Sequence, residues 1–352
     1  MFIMNRLITY RQAINEALTQ MMEKNPDVFV FGLDVPDHVR ILGSTAGLVE
    51  KFGKNRCFGT PLSEDAMTGV ALGAAINGLR PVHIHIRADF LLLAMNQIMN
   101  MAASLRYLTT GKLKVPLTIR ALIGRGWGQG AQHSKTVHSL LAHVPGIKVI
   151  MPTTPADAKG LLISAINDNN PVVCLEHRWL YDIKGYVPDN KDFSIPIGEP
   201  NILRKGKNFT VIATQWMNIE ALKAAEILKK IHNIDIEIID PRSIKPLDFT
   251  KIYKSVDKTG RCLIVDYDWL YCGFSAELSA RISENCHRSL KSPVIRLGLA
   301  ETPCPTSRPL EDLFYPNAIN IIRSIEKTLK LSKSNLANEN FYTYENKFKG
   351  PF

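Results

Sequence analysis

Two hydrophobic periods alternate along the chain. Short runs that are apolar almost throughout, such as Val28-Phe29-Val30-Phe31 and Val172-Val173-Cys174-Leu175, have the length and composition of buried parallel strands. Between such runs the apolar residues return every three or four positions, as Ile14, Ala17, Leu18 and Met21 do, which is the spacing of one helix face. On this pattern the capping box Thr9-x-x-Gln12 opens a first helix. Residues 28–33 form a strand, 44–52 a short helix and 56–58 a short strand. A helix over 64–79, a strand over 81–86, a helix over 91–105 and a strand over 115–122 follow. A strand over 147–151, a helix over 157–167, a turn at Asp168-Asn169-Asn170-Pro171 and a strand over 172–176 close the first half. Strands and helices in this order predict a parallel, doubly wound sheet.

Residues 186–208 are polar and contain Pro188, Pro196 and Pro200, so they read as a linker. A second alternation begins beyond it. Strands are expected at 209–214, 234–239, 262–266 and 294–297, and helices at 218–231, 247–256, 273–285 and 319–331. The expected organisation is α/β, with two doubly wound domains over 1–185 and 209–331. Residues 332–352 form a polar tail, extended or disordered unless a partner holds it.

With 352 residues, 45% apolar and 22% charged, two domains are the expectation on length alone. No apolar run reaches the length needed to cross a bilayer. Arg6 and Arg11 flank no apolar core, so the start of the chain does not read as a secretory signal. Six cysteines without a C-x-x-C pair read as reduced thiols of a cytoplasmic protein. The net charge is +10. The basic residues are spread out, with a Lys-rich tail from Lys327, and no basic run interleaves with aromatics, so nucleic acid is a weak reading and the sign fits an acidic partner subunit or an anionic substrate.

The candidate chemistry gathers at Thr60-Pro61-Leu62-Ser63-Glu64. Ser63 is placed as an N-cap and Glu64 in the first turn, where a carboxylate either answers the helix dipole, worth about 0.5 kcal/mol, or is presented for chemistry. Gly69 and Gly73 share one face of the helix, each costing about 1 kcal/mol against alanine, which calls for another backbone close by. His133 follows a loop with glycines at 124, 126, 128 and 130, where it serves as a loop hydrogen-bonder or a site residue. His83 and His85 share a strand face, but no third and fourth metal ligand accompanies them. His138 and His143 read as structural.

Several long motifs occur in one order: Thr60-Pro61-Leu62-Ser63-Glu64, Gly73-Ala74-Ala75 with Gly78-Leu79-Arg80-Pro81, Ala88-Asp89-Phe90 with Asn96-Gln97-Ile98, and Ala131-Gln132-His133-Ser134. Pro145-Gly146-Ile147, Asp157-Ala158-Lys159-Gly160, Asp168-Asn169-Asn170-Pro171 and Ile239-Asp240-Pro241-Arg242-Ser243 continue the series. Over residues 6–330 the chain resembles the beta subunits of thiamine-diphosphate-dependent 2-oxo acid dehydrogenases, of the pyruvate, branched-chain and acetoin types within the transketolase superfamily. The resemblance implies a pyrimidine-binding domain followed by a transketolase C-terminal-like domain. It implies that Glu64 and His133 are catalytic and that Leu62, Glu64, Phe90 and Gln97 bind the cofactor. It also implies a potassium site on the backbone of Ala165, Ile166, Asp168 and Asn170.

Relatives hold the Mg2+-bound diphosphate through Gly-Asp-Gly, which this sequence does not contain. The resemblance therefore implies an alpha subunit carrying that half, in a heterotetramer of two alpha and two beta chains. The implied activity is that of an oxidoreductase: decarboxylation of a small-molecule 2-oxo acid, or cleavage of an acetoin-like ketone, with acyl transfer to a lipoyl acyltransferase component. The competing readings are a lipoyl-independent carboligase or transketolase-like enzyme and a non-catalytic scaffold subunit. The chain departs from the family's pattern at His83, Ile84, His85, Arg87, Lys135 and Trp216. The added charge of Arg87 and Lys135, facing a substrate channel, implies an acidic or phosphorylated substrate.

Overall fold

The computed structural model describes residues 5–37, 39–124 and 128–341. The chain forms two compact units, one of residues 1–124, 135–197 and 243–246, the other of residues 125–134, 198–242 and 247–352. In chain order the first begins with β1 (Asn5–Thr9), α1 (Tyr10–Lys24), β2 (Val28–Gly32), α2 (Leu48–Phe52), β3 (Cys57–Phe58), α3 (Glu64–Ile76) and β4 (Arg80–His85). It continues with α4 (Ala88–Leu91), α5 (Ala103–Leu108), β5 (Thr118–Ile123), α6 (His138–His143), β6 (Lys148–Ile150), α7 (Pro155–Asn167), β7 (Val172–His177) and β8 (Lys184–Pro188). The second unit starts with β9 (Asn201–Arg204), β10 (Phe209–Ala213), α8 (Trp216–His232) and β11 (Ile236–Asp240). After β12 (Ser243–Lys245) come α9 (Thr250–Thr259), β13 (Cys262–Trp269), α10 (Phe274–Cys286), β14 (Ile295–Leu299), α11 (Arg308–Phe314) and α12 (Ala318–Leu329).

The first unit is built on a seven-stranded sheet in the order β12-β6-β7-β5-β4-β2-β3. Every neighbouring pair is parallel except β12 with β6. Its central strands are buried along their whole length, which is why their sequences show no polar alternation. The second unit has the order β14-β13-β10-β11-β9, parallel but for the antiparallel edge strand β9. A separate ribbon pairs β1 with β8. The Thr9 capping box forms as expected, and Thr154 makes a second one with Asp157 at the start of α7.

The expected helix over 91–105 is instead four segments. α4 passes into a 3-10 turn at Leu92–Ala94, a π-helix at Asn96–Ala102, and then α5. The expected linker is largely structured: β8 and β9 fall within or across it, and Phe193, Ile195 and Ile197 pack against Ile150, Leu161, Val172 and Cys174 of the first core. Gly160 makes this packing possible, since a Cβ there would meet Ile195 at 2.6 Å. The tail is held by its own unit as far as Glu339. Ser334 is buried, its amide donates to Glu326 Oε1 at 2.8 Å, its carbonyl accepts from Arg323 Nη2 at 3.0 Å, and Lys230 reaches Glu339 at 2.6 Å.

At the centre of the first sheet, Arg120 on β5 and Glu176 on β7 form a fully buried bidentate pair, Nε to Oε1 at 2.6 Å and Nη2 to Oε2 at 2.8 Å. Tyr181 donates a short hydrogen bond to the same carboxylate, and Arg120 Nη2 also donates to Ser44 Oγ at 3.1 Å. Burial works against the Arg120 charge, and Glu176 more than offsets it, so the guanidinium stays charged.

Removing one partner of such a pair leaves the other charged in the core. Arg120→Met is expected to lower stability by about 3–5 kcal/mol, measured by urea unfolding. A second prediction concerns the tail. Burial pushes the Glu326 carboxyl up, but its bonds from Ser334 and Arg323 outweigh that and hold it below the usual carboxylate range. A depressed folded value gives stability that is present above the unfolded value and lost as pH falls. Protection of the Ser334 amide, corrected for intrinsic exchange, should therefore fall between about pH 5 and pH 3. Glu326→Gln should abolish that dependence.

Candidate active site

Parallel strands joined by crossover helices all end at the same edge of a sheet, and that edge is where doubly wound sheets take ligands. Here β2 runs into Asp34, which has the left-handed φ of 56°. β3 runs into Glu64 at the start of α3, and β4 into Arg87 and Phe90. Glu64 is half-buried. Ser63 stands at the cap position but its side chain makes no capping bond, so the first turn keeps its free amides for another acceptor. Two apolar side chains at this edge are uncovered, Leu62 at 81% exposure and Phe90 at 37%. Phe90 is thus not a core aromatic.

One contact sets the register between α3 and β4. Thr68, fully buried on α3, lies 3.5 Å through Oγ1 from Nε2 of His85 at the end of β4. α3 runs antiparallel to β4, because it returns the chain from β3 to a parallel neighbour two places along the sheet. Four residues back from Thr68 is Glu64, about 6 Å along the axis on the same helix face. Two residues on from His85 is Arg87, about 6.6 Å along the strand direction. Glu64 and Arg87 therefore stand level at the sheet edge.

Gln97 joins this group through the π-helix. Its Nε2 donates to Asp65 Oδ2 at 3.4 Å, and its side chain lies 3.5 Å from where a Gly69 Cβ would be. π-helical turns are found often at functional sites. A Cβ at Gly73 would meet nothing within 4 Å, so that position of α3 is open. Leu62, Glu64, Phe90 and Gln97 thus gather at one end of the first unit. His133 does not join them within that unit. It belongs to the second, after Gly130, whose left-handed φ of 57° and close approach to Thr306 (2.6 Å for a Cβ) require glycine. Residues 125–127 of the Gly-rich loop lie outside the described residues.

His83 and His85 are buried and in ring contact at 4.4 Å, and His83 also stacks on Phe31 at 4.5 Å. Burial lowers both, His83 to about 4, so they are neutral near neutral pH. Lys135 does not add free charge: its amide and Nζ reach Asp89 Oδ1 at 3.1 and 3.5 Å.

Residues 6–184 match the family "Transketolase, pyrimidine binding domain", and residues 198–321 match "Transketolase, C-terminal domain". The chain belongs to the transketolase family. Among relatives, the acetoin:2,6-dichlorophenolindophenol oxidoreductase subunit beta of Cupriavidus necator is 40% identical over 94% of this chain and 100% of its own length. The protein of the same name from Bacillus subtilis is 37% identical, over 91% and 96%. The mitochondrial pyruvate dehydrogenase E1 component subunit beta of Mus musculus is 38% identical, over 92% and 91%. A solved structure described as a split gene transketolase, inactive beta4 tetramer, superposes with a TM-score of 0.72 at 22% identity, over 93% of this chain and 99% of that one. It shares the two-domain transketolase fold.

In this transketolase-family chain, three of the four carbonyls expected for potassium accept hydrogen bonds. The carbonyls of Ile166 and Asp168 accept from Arg80 Nη1 at 2.9 and 3.1 Å, and Arg80 Nη2 donates to Asn169 Oδ1 at 2.8 Å. The Ala165 carbonyl accepts the Asp168 amide at 3.2 Å. Arg106 donates to Asn170 Oδ1 at 2.6 Å, and Lys148 pairs with the Asp168 carboxylate. Arg80 thus takes one lone pair on each of two of the four expected carbonyls, those of Ile166 and Asp168, and brings a fixed positive charge to the turn. Sequence reading missed Arg80 because its partners lie 86–89 residues away. Its place in Gly-Leu-Arg-Pro, just before a strand, was the available signal.

Arg80→Ala is expected to cost about 2 kcal/mol through the lost charged hydrogen bonds. The thermal midpoint of the unaltered chain should be the same in KCl and NaCl at equal ionic strength. A rise specific to potassium would show an ion bound to the native turn.

Proposed function

We propose that this chain is the beta half of a thiamine-diphosphate-dependent 2-oxo acid or acetoin dehydrogenase. The observation that carries the reading is the sheet edge just described: a half-buried carboxylate, Glu64, opening a helix with free first-turn amides, with apolar Leu62 and Phe90 left uncovered at the same edge. An acidic group beside exposed apolar and aromatic surface fits an aminopyrimidine ring, which offers polar edges and an apolar face. Thiamine diphosphate, when bound, supplies a carbon acid whose conjugate base adds to ketones. The role of Glu64 is to hold a proton at its carboxyl oxygen against a ring nitrogen and so to govern the ring's tautomer. Phe90 and Leu62 cover the ring and keep water from it, and Gln97 positions the first turn of α3 through Asp65. His133 positions the substrate and moves protons during group transfer.

The diphosphate and its Mg2+ are assigned to an alpha partner, since no Gly-Asp-Gly occurs here. Uncovered Val70 (54%) and Leu93 (61%), with the open position at Gly73, support a docked chain along α3 and the segment after α4. The assembly is read as two alpha and two beta chains, passing its acyl group to a lipoyl acyltransferase. All six cysteines are free thiols, which supports a reducing compartment such as the cytoplasm.

The test is co-expression with an alpha chain carrying Gly-Asp-Gly. Thiamine diphosphate with Mg2+ should bind the pair and not this chain alone. Glu64→Gln in the pair should lower turnover by at least about 100-fold, within the range for lost general acid–base work. Tight binding to this chain alone, or turnover indifferent to Glu64, would overturn the reading.

A further inference from the structure

Arg87 is an unusual cation for its place. It is half-buried in the first unit, in extended conformation (φ −136°, ψ 132°) two residues beyond the end of β4. Its Nη1 donates to the carbonyl of Ile86 at 3.0 Å. Its Nε is buried without a hydrogen-bond partner among the described residues, and no carboxylate among them pairs with it. Guanidinium groups withdrawn from water are nearly always paired, because desolvating an unmatched charge is expensive.

The two acidic groups nearest in effect are Asp89 and Asp34, which favour the Arg87 charge only through space, while burial opposes it. Asp89 is engaged by Lys135, as described. Arg87 thus stands just beyond the end of β4 with a buried Nε that no bond among the described residues satisfies. The Thr68–His85 register sets it level with Glu64, the residue assigned to the cofactor.

We propose that Arg87 determines substrate specificity by receiving an oxyanion on the non-reacting end of the acyl substrate. The proposal rests on the function proposed above and adds the substrate's class: a 2-oxo acid whose far end carries a carboxylate or phosphate, not a plain alkyl chain. A planar fork of N–H donors matches either oxyanion in two-point contact, which an ammonium does not. A site built to bond a polar group discriminates far more strongly than an apolar pocket does, because an alkyl analogue leaves the buried donors unmatched.

The experiment uses the alpha-beta pair and two acids of equal carbon number, 2-oxopentanoate and 2-oxopentanedioate, with 2-oxo-4-phosphonobutanoate as the phosphate arm. The readout is the ratio of kcat/KM for the acid with a charged far end to that for the acid with an alkyl far end. The expected ratio is at least about tenfold, falling about 100-fold in Arg87→Gln and partly restored in Arg87→Lys. Calorimetric binding of the unreactive pair glutarate and pentanoate should show the same order and the same loss in Arg87→Gln. The arm with the higher ratio tells carboxylate from phosphate. A ratio below one in the unaltered pair, or a ratio unmoved by Arg87→Gln, overturns this proposal while leaving the function intact. Absence of turnover with all three acids, while the pair still binds thiamine diphosphate, overturns this proposal and leaves the function to the Glu64→Gln test.

Discussion

The constraint on which the first unit depends is the parallel pairing of β5, β4, β2 and β3. Parallel neighbours need a crossover, so each strand hands the chain to a helix or loop at the same edge of the sheet. Asp34, Glu64, Arg87 and Phe90 reach one edge from three strands for that reason alone. At the far end of β2 the backbone of β4 comes so close that a Cβ on Gly32 would lie 2.2 Å from the Ile84 carbonyl oxygen. Glycine is therefore required where β2 pairs with Ile84 of β4.

Convergence needs a rigid sheet, and the buried pair Arg120–Glu176 supplies rigidity at the junction of β5 and β7. It also reaches outside the sheet. Through Ser44 it fixes the loop between β2 and α2, where Arg40, Ile41 and Leu42 all take left-handed φ values of 47–55°. Such residues cost on the order of 1 kcal/mol or more each, most for branched Ile41. The loop keeps this conformation because Ile41 is buried, Asn15 Nδ2 donates to the Ser44 and Ala46 carbonyls, and Thr45 Oγ1 donates to the Val35 carbonyl. The same loop begins at Leu33 and carries Asp34, so the charge cluster at the core steadies one wall of the site.

The strand and helix succession was legible because burial on both faces erases alternation in β2, β5 and β7 and leaves a plain apolar signal. The expectation that Glu64, Phe90 and Gln97 act as a group rests on the resemblance, since spacing alone admits a helix-dipole carboxylate and a core aromatic. Three features were not legible for a common reason: their partners are remote in sequence. β12 returns some ninety residues later to pair with β6, the 193–197 segment packs into the first core, and Arg80 takes carbonyls from the end of α7. The break of the 91–105 helix had a different cause. Its residues are good helix formers, so propensity predicts one helix, and the π-helical turn that seats Gln97 opposite Gly69 is imposed by tertiary packing.

The buried histidines show how such packing can carry function without titrating. With both rings neutral, His83 serves as a flat filler between Phe31 and its neighbour, a task a phenyl ring would do with less desolvation. What a phenyl ring could not do is accept or donate at Nε2. His85 meets Thr68 there, and that contact ties α3 to β4 at a defined level. Gly69 and Gly73 cannot supply this register, because small residues permit approach without fixing it along the axis. The polar contact under the helix therefore places Glu64 beside the outlet of β4. Arg87 leaves the same strand two residues later, so one buried bond aligns the group assigned to the cofactor with the group assigned to the substrate.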